Sequence, residues 1–406
     1  MASDKHKKVR RIHSTFSLTN MSKGGRAAVA RSRSIDHQLD EERERREKEV
    51  QILIIGGPGA GKSTFIKQLR LHYGDQFPQF ERRLFHDQIL QNVAMGLVHL
   101  IEHMERLGLQ FETPEVQKLA AEFRKKHPRI SIVTLIKKFK EENEKAEEIC
   151  PVTTRAELTK RLSSFDVYNP EVPNVDDMHT LWADPAMQLC FERRNKFETD
   201  KLTHSSEYFL HHIGRICSGD YLASVQDILL IRWPTLGVQE HKFLVDSLLY
   251  RMIDVAGQRS LRKKWIHFFD EVTAVAFFVN LAAYDEYLEE DPSVNSLQDS
   301  LQAFIEISNS PFLDKTEFIL FLNKKDIFAS KIKSTPLSIC FQEYKGSQSL
   351  EASLKHVKEQ FLQNKPSQKQ VYTHVSCAID VPHMKDLLAS VIDCIAEINL
   401  RRSKNY

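Results

Sequence analysis

Residues 56–64, Gly56-Gly57-Pro58-Gly59-Ala60-Gly61-Lys62-Ser63-Thr64, fit the pattern G-x-x-x-x-G-K-[ST]. The spacing suits phosphate chemistry. Glycines let backbone N–H groups turn inward and approach phosphate oxygens closely. A lysine at this place, Lys62, reaches the outer phosphates, and the next hydroxyl, Ser63, is a ligand for Mg²⁺. Gly59, Ala60, Gly61 and Thr64 complete the cradle. The N-terminus of a following helix adds a favourable dipole.

Four further stretches carry groups that a nucleotide site needs. Asp254-Val255-Ala256-Gly257-Gln258 follows an apolar run. D-x-x-G sets a carboxylate near Mg²⁺ through water and a glycine N–H near the γ-phosphate, and Gln258 is then placed to orient an attacking water. Asn323-Lys324-Lys325-Asp326 also closes an apolar run. N-K-x-D reads guanine: the Asp326 carboxylate accepts from N1–H and the exocyclic amine, and it rejects a base lacking those donors. In Ser376-Cys377-Ala378-Ile379, the Ala378 N–H is a donor for the guanine O6. Arg232 and Thr235 lie in Asp227 to Gly237. Thr235 can complete Mg²⁺ coordination once a γ-phosphate is bound. Arg232 can stabilise transition-state charge from within the chain.

These groups must be positioned by elements that the apolar pattern outlines. Val50 to Ile55 reads as a buried parallel strand, and Phe65 to Arg70 as the first turns of a helix, the order that a phosphate loop requires. Strand alternation then stops. From about Phe77 to Val225 the period is helical, with one long segment over 80–107 and charged surface helices over 113–149 with a loop at Pro128. Further helical segments are expected over 154–163, 176–196 and 204–216. From Asp227 strands return at 240–246, 248–254, 273–280, 317–323 and 370–376, alternating with helices at 262–269, 295–308, 351–362 and 383–400. The pattern predicts a doubly wound α/β sheet, parallel with one antiparallel edge, interrupted by an all-helical insert.

Composition narrows the class. The 406 residues allow two domains, and 41% apolar with 28% charged residues suits a globular protein. A net charge of +2 gives no global field for nucleic acid. The charge is uneven: residues 1–34 hold nine Lys/Arg against one acid, Asp4. This reads as a disordered basic arm, able to touch anionic membrane at about 1 kcal/mol per charge. Residues 35–49 read as a charged helix. The chain begins Met1-Ala2-Ser3, without the glycine that myristoylation needs, and no cysteine precedes Cys150. The six scattered cysteines form no C-x-x-C pair, so neither zinc nor a disulfide framework is expected.

Together these residues resemble the heterotrimeric G-protein alpha subunits, and within them most the twelve/thirteen class. The likeness runs from about residue 35 to the C-terminus. It is carried by Leu181 to Asp184, Phe191 to Phe197, Gln226 to Leu230, Arg232 to Gly237, Asp254 to Arg259 and Phe321 to Asp326. It implies a P-loop GTPase (Ras-like) fold, with the GTPase domain over 50–76 and 226–406 and a helical domain over 77–225 that closes over the nucleotide. Arg232 then takes the arginine-finger role, supplied in cis in this family. Ser205 contacts the nucleotide region from the helical domain, and Leu229, Leu230 and Ile231 join the nucleotide contacts. The implied ligands are GTP or GDP with Mg²⁺, Ser63 and Thr235 holding the metal and Arg232 and Gln258 carrying hydrolysis. The implied partners are a beta-gamma dimer on residues 35–49 and 254–268, a G-protein-coupled receptor at the C-terminal helix and Rho guanine-nucleotide exchange factors as effectors. The implied location is cytoplasmic, peripheral at the inner face of the plasma membrane.

The chain departs from the family's phosphate loop, G-A-G-E-S-G-K-S. Pro58 replaces its middle glycine, Gly59 the Glu that pairs with the arginine finger, and Ala60 the Ser. Leu261 stands where the family has Glu, the segment 113–149 is longer and more charged, and the C-terminus is more polar. Nucleotide binding is expected to survive, with hydrolysis or its regulation altered. A second reading is a hydrolysis-impaired or nucleotide-weak scaffold that acts only as a binding module. A third, a P-loop kinase or ATPase, is opposed by N-K-x-D.

Overall fold

Strands in the second half of the chain alternate their side chains between two apolar faces, and that alternation builds the sheet. The computed structural model describes residues 49–129, 133–138, 141, 171–196, 202–232, 234–270 and 272–404. The expected basic arm over 1–34, nearly all of the helix over 35–49, and the helix over 154–163 lie outside them. Six strands, β1 (Glu49–Gly56), β2 (Val238–Val245), β3 (Leu248–Val255), β4 (Ala274–Asn280), β5 (Glu317–Asn323) and β6 (Val371–Val375), order as β2-β3-β1-β4-β5-β6. β2 runs antiparallel to β3 at the edge, while β4 is parallel to β1 and β5, and β6 to β5. The expected strands therefore form, with the expected antiparallel edge.

The period of two divides the core. Leu53, Ile55, Val275, Phe277, Phe318 and Leu320 face one apolar cluster, with Phe304 and Phe361 from helices over Ser296–Ser308 and Leu350–Gln363. Ile52, Ile54, Ala276, Phe278, Ile319 and Phe321 face another. Two helices cover that second face: α1 (Lys62–Tyr73), through Phe65, Ile66 and Leu69, and the C-terminal helix Val381–Lys404, through Met384, Leu388 and Ile395. Phe65 meets Phe278 and Phe321 at centroid distances of 5.0 Å each, and those two rings stack at 4.4 Å. Each such pair contributes about 0.5–1.5 kcal/mol beyond its burial. This aromatic triad anchors α1 directly behind the phosphate loop.

A third cluster is purely helical and runs from Phe77 to Ile231. Its spine is α2 (Gln79–Leu107), the long segment that the periodicity predicts, followed by α3 (Pro114–Lys126). The expected helix over 176–196 is broken. α4 (Val175–Ala183) stops at Asp184, whose carboxylate caps α5 (Pro185–Glu192) by accepting from the N–H groups of Ala186 and Met187. Pro185 lacks the N–H that a continuous helix requires, so it opens a new helix at its first turn. The segment 204–216 likewise divides, into α6 (His204–His211) and α7 (Ile213–Ile216). The predicted helix over 262–269 is a 3₁₀ stretch, Arg259–Phe268.

The return to the sheet begins with a helix ahead of the first expected strand. α8 (Val225–Leu230) opens on a reciprocal capping box between Ser224 and Asp227. Its residues Ile228, Leu230 and Ile231 belong to the helical cluster, so that core extends past the expected boundary at 225. Asp227 is fully buried and accepts from Tyr208, Arg215, Tyr221 and the Ser224 N–H. Burial alone would raise its pKa, but the Arg215 guanidinium, Ser224 and Tyr208 hold it well below the usual carboxylate range. Removing this carboxylate orphans several donors at once. Asp227→Ala should destabilise the chain by about 2–4 kcal/mol in urea unfolding followed by circular dichroism; a loss under 0.5 kcal/mol would show that the network is dispensable.

Candidate functional site

The phosphate loop and three of the four further stretches lie at the ends of β1, β3, β5 and β6, and the fourth, Arg232 to Gly237, leads into β2. The phosphate loop leaves β1 at Gly56 and enters α1 at Lys62. Gly61 has φ +98°, and a Cβ there would lie 2.2 Å from Asn323 Nδ2, so only glycine fits. Gly257 is equally confined: its Cβ would lie 2.5 Å from both Gly56 O and Lys62 Nζ. Gly59 differs. It has φ +64° and open space around the missing Cβ. Pro58 beside it is exposed.

Lys62 is buried, and its ammonium donates to Gly56 O at 3.0 Å and Gly57 O at 2.9 Å. Burial lowers its pKa to about 8, opposed by Asp254 and assisted by Arg262. Ser63 Oγ lies 3.0 Å from Thr235 Oγ1 and donates to Asp254 Oδ2 at 3.2 Å. Asp254 is wholly buried; burial raises its pKa to about 6, against the pull of Lys62 and Ser63. Its other oxygen, Oδ1, has no hydrogen-bond partner among the described residues. Two hydroxyls and a carboxylate, all hard oxygen donors, with one buried oxygen unpartnered, fit Mg²⁺. The confined glycines around Lys62 fit a phosphate chain.

Gln258, next to Gly257, is buried with its Oε1 unpartnered among the described residues. Arg232 lies exposed just after α8, and its charge helps lower the pKa of Lys324, second only to burial, to about 8. Thr64 Oγ1 donates to Leu229 O at 3.4 Å, which brings the Leu229–Ile231 stretch against the loop. Ser205 sits half-buried in the first turn of α6 and shares no hydrogen bond with the loop among the described residues.

The base-reading end is organised by Asn323. This buried amide donates to Ala60 O at 2.8 Å and accepts from Ser376 Oγ at 3.1 Å and Ala378 N at 3.0 Å. Lys324 follows in the left-handed region at φ 64°, a conformation costly for a non-glycine residue and typical of functional sites. Asp326 is exposed toward solvent beside Cys377, whose thiol is pushed up to about 12 by burial and by that carboxylate.

A family model for the G-protein alpha subunit matches residues 29–395. The chain belongs to the G-protein alpha subunit family. Among its relatives are the guanine nucleotide-binding protein G(o) subunit alpha of Locusta migratoria, 34% identical over 94% of this chain and 98% of that protein. Another is the guanine nucleotide-binding protein alpha-7 subunit of Caenorhabditis elegans, 33% identical over 91% of this chain and 94% of that protein.

This alpha subunit uses several groups that the motifs do not contain. Gln68 of α1 donates to Ala378 O at 2.8 Å, and Lys67 donates to Ile228 O at 2.7 Å. Arg262 donates to Gly257 O at 3.1 Å and pairs with Asp299 through both nitrogens of its fork. The Arg259 and Ser260 N–H groups donate to Glu290. Leu261, where the family carries Glu, is buried against Leu236, Val238, Trp265 and Phe268. The segment after Gly257 is thus held by an apolar plug and acidic partners together. Asn323→Leu removes three hydrogen bonds, one to the phosphate loop at Ala60 and two to Ser376 and Ala378. It should weaken GDP affinity about 100-fold or more in equilibrium titration; affinity within threefold of the native chain would mean the tie has no part in binding.

Proposed function

We propose that this chain is a GTP/GDP switch that hydrolyses GTP. The observation that carries the proposal is the meeting of Ser63, Thr235 and Asp254 at 3.0 and 3.2 Å, from positions 172 and 191 residues apart. Ser63 and Thr235 would hold Mg²⁺, with Asp254 assisting beside them. When bound, the ion would neutralise phosphate charge. Lys62 and the loop N–H groups bind the phosphates. Asp326 and the Ala378 N–H select guanine, and Asn323 and Lys324 complete the base pocket. Gln258 orients the water, and Arg232 stabilises charge on the transferring group.

Thr235 and Gly257 lie on the two segments that a γ-phosphate orders and its loss releases, the basis of a switch. We place a beta-gamma dimer on residues 35–49 and 254–268, a G-protein-coupled receptor at the C-terminal helix and a Rho exchange factor as effector. The twelve/thirteen resemblance supports the last. No helix of the described residues is long and apolar enough to cross a membrane. We assign peripheral attachment at the inner face of the plasma membrane to the basic arm and beta-gamma. We assign a Ras-like domain to 50–76 and 226–406 and a helical domain to 77–225, with Ser205 as the latter's contact toward the nucleotide.

Single-turnover hydrolysis of bound GTP tests the reading. Arg232→Ala and Gln258→Leu should each slow it by about 10³-fold while GTP outcompetes ATP for binding. Native-like rates in both variants, or ATP preference, overturn the proposal. Pro58→Gly and Gly59→Glu address the altered loop. Gly59→Glu carries about 1–2 kcal/mol of left-handed strain but meets no clash. Restoring either residue should change the hydrolysis rate by more than threefold. If both leave it unaltered, the loop's departures do not regulate turnover. A native chain that binds GTP and never turns it over is the scaffold reading.

A further inference from the structure

An arginine can act on a phosphoryl group only if its backbone is fixed, because a long side chain amplifies any shift at its Cα. Here the phosphate loop presents Gly59, not a carboxylate, so the loop cannot orient the Arg232 guanidinium by an ion pair from that position. The backbone leading to Arg232 is instead gripped from two sides. From α1, the Lys67 ammonium donates to Ile228 O at 2.7 Å and Ile231 O at 3.5 Å. From α2, Asn92 Oδ1 accepts the Arg232 N–H at 3.0 Å.

Each grip has a physical logic. α8 is six residues long, and its last carbonyls keep a lone pair open to a further donor, Ile228 O already accepting from the Ile231 N–H at 3.3 Å. A cation at a helix C-terminus satisfies them and complements the helix dipole. Lys67 does this with its ammonium desolvated, and burial lowers its pKa to about 7. Asn92 is 2% exposed, and its amide nitrogen donates to Gln88 O at 2.8 Å. That bond turns the amide oxygen toward Arg232. The two grips come from different cores. α1 packs on the sheet, whereas Asn92 sits on the spine of the helical cluster.

We propose that Lys67 and Asn92 are positioning residues for Arg232, clamping its backbone between the phosphate-loop helix and the helical core so that the guanidinium stays over the phosphates. This rests on the reading of Arg232 as the hydrolytic arginine. The clamp takes the place of a side-chain tether from the loop. It also makes hydrolysis, more than nucleotide binding, sensitive to separation of the helical core from α1.

The test is a double-mutant cycle on the full chain, with single-turnover GTP hydrolysis, GTPγS-binding stoichiometry and thermal midpoint measured together. Lys67→Met and Asn92→Ala should each slow hydrolysis about 10- to 100-fold with GTPγS stoichiometry retained. Placed on Arg232→Ala, either should slow it less than twofold further, since a residue acting only through Arg232 has nothing left to position. Asn92→Ser, which keeps an oxygen acceptor, should lie between Asn92→Ala and the native chain. Equal losses in the native and Arg232→Ala backgrounds would show a general structural role and overturn the inference. So would native rates in both single variants. If Lys67→Met does not fold, the Asn92 pair decides alone. An Arg232→Ala rate equal to the native one overturns the underlying reading, an outcome distinct from failure of the clamp.

Discussion

Two opposite charges buried at the carboxyl ends of the strands set the terms for this molecule. Lys62 and Asp254 are both removed from water, and neither is fully satisfied by the chain. Lys62 borrows two carbonyls of its own loop, and one Asp254 oxygen faces no protein donor among the described residues. Burial drives the two pKa values toward each other, to about 8 and about 6. The consequence for stability has a sign. Asp254 holds its proton more tightly folded than unfolded, so its contribution falls as pH rises from about 4 to 6. Lys62 holds its proton less tightly folded, so its contribution recovers only as pH rises from about 8 to 10.5. Between about pH 6 and 8 both costs are present in full. A phosphate–cation pair relieves both at once, which couples ligand binding to the stability of the whole sheet edge.

That edge is wired so that the phosphate end and the base end report on each other. Asn323 joins Ala60 to Ala378, and Gln68 joins α1 to the same Ala378. The C-terminal helix begins three residues later, at Val381, and packs on α1 through the apolar cluster they share. A displacement of that helix therefore acts on the base loop and the phosphate loop through the same few bonds.

The sheet and the nucleotide motifs were legible because their signals are local. An apolar run ends in N-K-x-D or D-x-x-G within a few residues, and the strand bounds follow the run. The break at Pro185 and the Ser224–Asp227 capping box carry equally local signals, but the helical period masks them. Asn92, Lys67 and Gln68 are different. Their partners lie 140, 161 and 310 residues away. An asparagine in the middle of an apolar helix, or a lysine on the first turns of another, has no local mark that separates it from a solvated residue. Only the folded chain brings their partners within reach: Lys67 and Asn92 meet the segment from Ile228 to Arg232, and Gln68 meets the loop after β6.

The departures from the family pattern then fall into two kinds. Leu261 is compensated: it fills an apolar pocket beside Trp265, where an unpaired carboxylate would be costly, and the segment's polar ties are carried by Arg259 and Arg262 instead. Gly59 is not filled by anything of the protein's own. It leaves an open, left-handed position on the rim of the loop, next to the exposed Pro58, facing solvent. A loop relieved of its carboxylate exerts no pull on the arginine, so the geometry of Arg232 is left to the backbone contacts of Lys67 and Asn92. Those contacts join the sheet-bound helix to the helical core. Control over hydrolysis then moves from one residue in the loop to the packing of the helical core against α1, a contact outside the phosphate loop.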